Sequence, residues 1–218
     1  MPTALVIVLS YLVGSIPAGD IAARIRGVDL RTRGSGNPGF TNALRVLGPR
    51  AAAPVLAVDI AKGVIPVLLI APLLGRGPSP LGVTGLRLAA GLAALAGHVW
   101  PVFSRFRGGK GVATASGVFL ALSPWATLAA AAAWGVVAAT TRFVSLASIS
   151  AALVLPWGVW LEARAAGTPQ PGALVAASAA AAALLIVRHR SNVRRLLAGT
   201  ENRLGARSGS ARGPGGAP

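Results

Sequence analysis

Glycine, hydroxyl and amide residues crowd into one short loop, Gly34-Ser35-Gly36-Asn37-Pro38-Gly39-Phe40-Thr41-Asn42, with Arg31, Arg33 and Arg45 beside it. The glycines and Pro38 break helices. Backbone N–H groups and small side-chain donors in a loop are the parts of an anion cradle. A second cluster, Phe106-Arg107-Gly108-Gly109-Lys110-Gly111-Val112-Ala113-Thr114, sets three glycines around one lysine. Helix capping explains one of them, not three. Arg142-Phe143-Val144-Ser145 and His189-Arg190-Ser191-Asn192 add two more polar segments. If the four segments converge, they form a cationic pocket suited to a phosphorylated, lipid-like ligand.

Several other chemistries are excluded by the same residues. A nucleotide-binding P-loop requires Gly-x4-Gly-Lys-Ser/Thr. Here Ser104 stands where the first glycine belongs and Gly111 where the hydroxyl belongs. Cysteine is absent, and only His98 and His189 represent histidine, so no metal site is expected. No Gly-x-Ser-x-Gly elbow is present. No motif puts a carboxylate beside Ser145 or His189.

The elements that must position these segments are apolar. Of 218 residues 54% are hydrophobic, mean hydropathy is +0.66, and the net charge is +16. On a soluble protein that charge would point to nucleic acid. On a chain this apolar it reflects membrane topology, anionic lipid or anionic substrates, and no nucleic-acid partner is expected. Apolar stretches fall near 3–23, 51–74, 88–103, 111–123, 125–141, 143–161 and 171–187. The stretch 111–123 is short, and reads either as a crossing or as a re-entrant hairpin with 125–141. The N-terminus lacks a basic region before its apolar stretch and reads as an uncleaved first span.

With the N-terminus outside, seventeen basic residues fall on the inner side and only Arg76, Arg87 and Arg164 on the outer side. Lys62 lies inside a span. This asymmetry predicts an all-α integral membrane protein, a compact bundle of seven transmembrane helices with the C-terminus cytoplasmic. Ala and Gly within the spans allow close helix packing. One membrane domain over 1–205 is expected, followed by a disordered Gly/Ser/Pro-rich tail over 206–218.

Asp59 and Lys62 share one helix face within the second span. Charges there must pair or face a wet cavity. A structural ion pair and a lysine facing substrate are both open. Asp20 and Arg24, four apart, read as a helix-end ion pair, and His98 as a structural hydrogen-bonding group. A transporter for phosphorylated metabolites is the rival reading. It would place its polar residues near the midplane in broken helices, whereas here nearly all polarity lies on one side.

The ordered set of motifs resembles the bacterial acyl-phosphate:glycerol-3-phosphate acyltransferases, the PlsY family. The set comprises Gly14-Ser15-Ile16-Pro17, the Gly34–Asn42 loop with Arg45, Asp59-Ile60-Ala61-Lys62-Gly63, and Gly97-His98 with Pro101. It continues through Phe106 to Thr114, then Arg142, Ser145-Leu146, and His189 with Asn192. Phe40 departs from the pattern, standing where the family commonly has a small residue. The resemblance implies a seven-helix enzyme of the bacterial inner membrane with a cytoplasmic-side active site and no cofactor. It would transfer a fatty acyl group from acyl phosphate to the sn-1 hydroxyl of glycerol 3-phosphate, giving lysophosphatidate and phosphate. Membrane lipids and an acyl-phosphate-producing enzyme are the implied partners.

The residues divide accordingly. Ser35, Gly36, Asn37, Gly39, Thr41 and Asn42, with Lys110, are expected at the donor phosphate, and Gly108 and Gly109 are expected among the substrate-binding residues. Arg45, His189 and Asn192 are expected at glycerol 3-phosphate, with Ser145 orienting it and Lys62 supporting the field. Lys110, His189 and Ser145 are the candidates for catalysis. The proton of the attacking hydroxyl goes either to the donor's own phosphate or to His189.

Overall fold

The computed structural model describes residues 2–76, 79–167 and 171–205, and among these it is helical without strands. The expected tail over 206–218 lies outside the described residues. In chain order come α1 (Pro2–Gly14), α2 (Ala18–Ile25), α3 (Phe40–Leu47) and α4 (Pro49–Ile65). A π turn (Pro66–Ile70) leads into α5 (Ala71–Leu74), followed by α6 (Gly82–Val99) and a 3-10 turn (Val102–Ser104). Then come α7 (Val112–Leu122), α8 (Pro124–Thr141), α9 (Val144–Ala165), α10 (Gly172–Arg188) and α11 (Arg190–Leu197). Prolines explain several of these boundaries. Pro49 and Pro124 sit at helix starts, where a missing N–H costs nothing. Pro66 cannot donate inside the helical ladder, and the ladder slips to the wider turn there.

Each of the seven apolar stretches is helical. Among the described residues, four helical stretches are long and apolar enough to cross a membrane: Thr3–Ile25, Pro49–Leu74, Gly82–Ser104 and Val144–Ala165. A fifth is reached if α10 and α11, bent by 55° about His189, count as one. α7 and α8 are separated only by Ser123. Leu69, Leu73, Trp125, Leu128, Trp157 and Leu161 are exposed. Large apolar side chains facing outward in such numbers are what lipid, not water, accommodates.

The main packing partners are α8 with α9, α1 with α6, α4 with α7, and α9 with α10. The largest core joins Val67, Val99, Val118, Phe119, Val159 and Leu185, with alanines between them. A second core of Leu30, Ala43, Ala52 and Val55 seats the Gly34–Asn42 loop and α3 on α4. Phe40 packs against this second core.

Two half-buried polar groups, Asp20 and Arg31, fix the first loop to the bundle. Asp20 does not pair with Arg24, as its spacing predicts. It accepts hydrogen bonds from the Arg31 guanidinium at 2.8 Å and the Ser104 hydroxyl at 2.9 Å. The same Arg31 nitrogen donates to the Arg107 carbonyl at 2.8 Å. A tertiary ligand between two loops thus displaces the local helical one.

Candidate active site

The Gly34–Asn42 loop is held by its own side chains. The Asn42 amide donates to the carbonyls of Leu30 and Arg33, each at 3.0 Å, and its oxygen accepts the Ser35 N–H at 2.9 Å. Asn37 accepts the Gly39 N–H at 2.9 Å. Gly34 and Gly36 adopt φ of 60° and 70°, the left-handed region that glycine enters without strain. Asn42 is buried, and both its N–H groups are committed to this folding role. The expected contact of its amide with substrate is therefore not what this geometry offers.

The Gly108–Gly111 segment is pinned from two sides. The Gly109 N–H donates to the His98 carbonyl at 3.2 Å. The Arg188 guanidinium donates to the carbonyls of Gly108 and Gly109 at 3.2 and 3.1 Å. A side chain at 109 has no space, since its Cβ would fall 2.3 Å from His98 Nε2. The pinned segment sets Lys110 just before Gly111, the N-cap of α7.

Lys110 donates to the Asn192 side-chain oxygen, and the Asn192 amide donates to Glu201 Oε1 at 2.7 Å. The Ser145 hydroxyl donates to the same Glu201 oxygen at 2.9 Å, and Arg195 Nε donates to Oε2 at 2.7 Å. Glu201 is the functional-site residue that sequence reasoning missed. It belongs to no motif with Ser145 or His189, and only the return of the chain after α11 brings it in. As one of five acidic residues in the chain, and one lying beside a polar segment, it offered the single available signal.

Electrostatics follow from burial among cations. Burial lowers the Lys110 ammonium to a pKa of about 8; Glu201 resists the shift, and Arg195, Arg188 and Arg45 add to it. Burial, reinforced by Lys110, lowers His189 to about 4, against the opposing pull of the Leu185 carbonyl and Glu201. Burial would raise the Glu201 carboxyl, but the hydrogen bonds from Asn192, Arg195 and Ser145 outweigh it and hold the carboxyl below its usual range. Arg45 is lowered chiefly by burial. His189 is buried and neutral, and its Nδ1 donates to the Leu185 carbonyl at 2.7 Å. The remaining ring nitrogen, Nε2, therefore carries the lone pair.

One cavity of about 440 Å³ joins these groups. Its polar end is lined by Ser35, Asn37, Gly39, Thr41, Asn42, Arg45, Lys110, Ser145, His189 and Asn192, together with Glu201. Phe40 also lines it, at the edge of the loop core. The other end is apolar and runs between α8 and α9 on one side and α4 and α7 on the other. Gly108, Gly109 and Lys62 do not line this cavity but a small second one of about 20 Å³ behind it, and Gly36 lines neither.

Lys62 is buried and donates to Asp59 at 2.7 Å. Thr114 donates to the Asp59 carbonyl at 2.9 Å, and His98 Nδ1 stands 3.6 Å from the Asp59 carboxylate. Of the two roles open for Lys62, the geometry provides the ion pair inside the bundle. No cluster of three metal-ligating side chains occurs among the described residues.

A polytopic helical membrane protein with a cationic pocket opening into an apolar cleft is built to hold an anionic, lipid-like substrate. Related proteins give that class its chemistry. The glycerol-3-phosphate acyltransferase family model matches residues 4–199. A glycerol-3-phosphate acyltransferase of Rubrobacter xylanophilus is 46% identical over 205 residues, covering 94% of this chain and 96% of the relative. One from Geotalea daltonii is 46% identical over 197 residues, covering 90% and 94%. A crystal structure of PlsY, an integral membrane glycerol 3-phosphate acyltransferase, in its glycerol 3-phosphate form superimposes with a TM-score of 0.81 at 39% identity, covering 94% and 96%. Its lysophosphatidic acid form gives 0.79 at 38%, with the same coverage. The chain belongs to the glycerol-3-phosphate acyltransferase family. It is an acyltransferase of the PlsY type, a multi-pass membrane protein acting in phospholipid biosynthesis.

Proposed function

We propose that the donor is acyl phosphate and that the product is the sn-1 ester, lysophosphatidate, released with inorganic phosphate. The observation that carries this reading is the single cavity in which Arg45, Lys110, His189 and Asn192 meet an apolar limb. Both proposed substrates bring a phosphate to one partly dehydrated place, and fixed positive potential there is worth far more than in water.

Ser35, Asn37, Gly39 and Thr41, with Lys110, hold the donor phosphate. Arg45, Asn192 and His189 hold glycerol 3-phosphate, and Ser145, fastened to Glu201, orients its glycerol. The acceptor oxygen attacks the acyl carbonyl carbon, the new C–O ester bond forms, and the C–O bond to phosphate breaks. The hydroxyl proton passes to a phosphate oxygen of the donor. His189 is too weak a base near neutral pH, with its pKa lowered to about 4, and Nε2 instead accepts a hydrogen bond that aims the attacking hydroxyl. Proximity and fixed charge supply most of the rate.

Seven crossings with the N-terminus outside place this polar end at the cytoplasmic face of the cell membrane, in keeping with the seventeen-to-three distribution of basic residues. Because the chain has no cysteine, single introduced cysteines report sidedness directly. Labelling of Ser208→Cys only from the cytoplasmic side is expected; labelling from outside would refute the orientation. For the reaction, membranes carrying the chain are supplied with glycerol 3-phosphate and either acyl phosphate or acyl-CoA. Lysophosphatidate should form from acyl phosphate alone, and formation from acyl-CoA would overturn the donor assignment.

A further inference from the structure

On α8 and α9 the lining of the apolar limb reaches no farther than Thr127 and Leu155. On α9 the cavity is lined by Ser145, Ser148, Ala152 and finally Leu155, and on α8, running back from the site, by Trp134, Ala130 and Thr127. Ser145 and Leu155 stand ten positions apart, about 15 Å of helix. That is the depth of one leaflet, half of a hydrocarbon core about 30 Å thick. The Trp134 indole donates to the Ser148 hydroxyl at 3.3 Å and ties the two helices together near the polar end.

Beyond Leu155 the helices close. A Cβ on Gly158 would lie 3.0 Å from Ala126, so no space remains between them there. Just past this contact, Glu162 accepts the Ala126 N–H at 2.9 Å and the Ser123 hydroxyl. A chain longer than the limb would meet first a closed helix contact and then a carboxylate. Halfway down, Ala130 and Ala152 keep the bore open, and both are buried.

Building on the acyl-transfer reading above, we infer that Thr127 and Leu155 form the terminus of an acyl-length ruler whose bore is set by Ala130 and Ala152. The polar end of the same cavity fixes the headgroup, so the methyl end of the chain is measured against a fixed origin. One methylene gained or lost in such a pocket is worth ~10-fold or more.

The test compares the wild-type chain with Ala152→Leu and Leu155→Ala in membranes, using acyl phosphates of a long and a short chain with glycerol 3-phosphate. Ala152→Leu should lower the long-to-short ratio of kcat/KM by about tenfold or more, and Leu155→Ala should raise it. The KM for glycerol 3-phosphate should stay the same in both, because neither residue reaches the polar end. If Ala152→Leu loses turnover with every donor, Leu155→Ala decides. A ratio unchanged in Leu155→Ala overturns the ruler. Failure of the donor assignment shows separately, as a wild-type chain inactive with any acyl phosphate. The same variants are then compared with acyl-CoA, whose acyl chain is measured by the same limb.

Discussion

The Ser145 hydroxyl donates to Glu201 at 2.9 Å across 56 positions of sequence. Through that one carboxylate, the start of α9 is joined to Asn192 and Arg195 on α11. Glu201→Gln costs the joint at least one of its hydrogen bonds whichever way its amide turns. An NH2 group must then face Arg195 on one side or Ser145 and Asn192 on the other, and all three are donors. We expect kcat/KM for glycerol 3-phosphate to fall at least tenfold, about 1.4 kcal/mol, with assembly into the membrane retained. Turnover equal to wild type would show that Glu201 does not position the acceptor site.

Lys110, with a pKa of about 8, binds anions only while protonated. Below pH 8 the ammonium is charged. As pH rises through 8 the free enzyme loses that charge, so kcat/KM should decline above about pH 8. Lys110→Arg should remove this inflection whatever its residual rate, and Lys110→Ala should nearly abolish turnover while the protein still inserts. A wild-type profile flat to pH 10 would contradict the assignment.

His189 separates binding from base catalysis. Lowered to about 4, it is neutral at pH 7 and stays so until the pH drops far below the usual histidine range. His189→Gln preserves a hydrogen-bond acceptor and donor without basicity. A severalfold rise in the KM for glycerol 3-phosphate with kcat largely kept is expected. A large loss of kcat at unchanged KM would make His189 the base.

The buried Asp59–Lys62 pair makes a stability prediction. Asp59→Ala strands an ammonium inside the bundle, a class of change that costs ~3–5 kcal/mol. The double variant Asp59→Leu/Lys62→Met removes both charges and should recover much of the loss in thermal unfolding in detergent. A double variant no more stable than Asp59→Ala would show that the pair is not the source of the penalty.

Gly109→Ala tests the pinned lysine loop. The new Cβ would collide with the His98 ring and shift Lys110 from Asn192. The KM for the acyl-phosphate donor, which Lys110 holds, should rise about tenfold or more, and the effect should be smaller in a His98→Ala background, where space is restored. Equal effects in both backgrounds would mean that the collision does not act through His98.

Much of the site was legible because membrane proteins separate their residue types sharply. Polar clusters stood out against apolar spans, and Ser35, Asn37, Gly39, Thr41, Arg45, Lys110, Ser145, His189 and Asn192 do line one cavity. Local spacing was less trustworthy. The i,i+4 relation of Asp20 and Arg24 is real on a helix, yet Arg31 and Ser104 take the carboxylate because loop packing brings both donors within 2.9 Å of it.

By itself the sequence determined the helical membrane class, the four polar segments and the family, since each depends on residue type and order along the chain. Tertiary structure alone decided three matters. It brought Glu201 to Ser145 and Asn192 by turning the chain back after α11. It turned Lys62 toward Asp59 and away from the cavity. It placed Phe40 at the cavity wall while its neighbour Asn42 bends inward to hold the loop. The reason is the same for all three: a charge, an amide or a ring takes its role from what lies within a few ångströms, and those neighbours are distant in sequence.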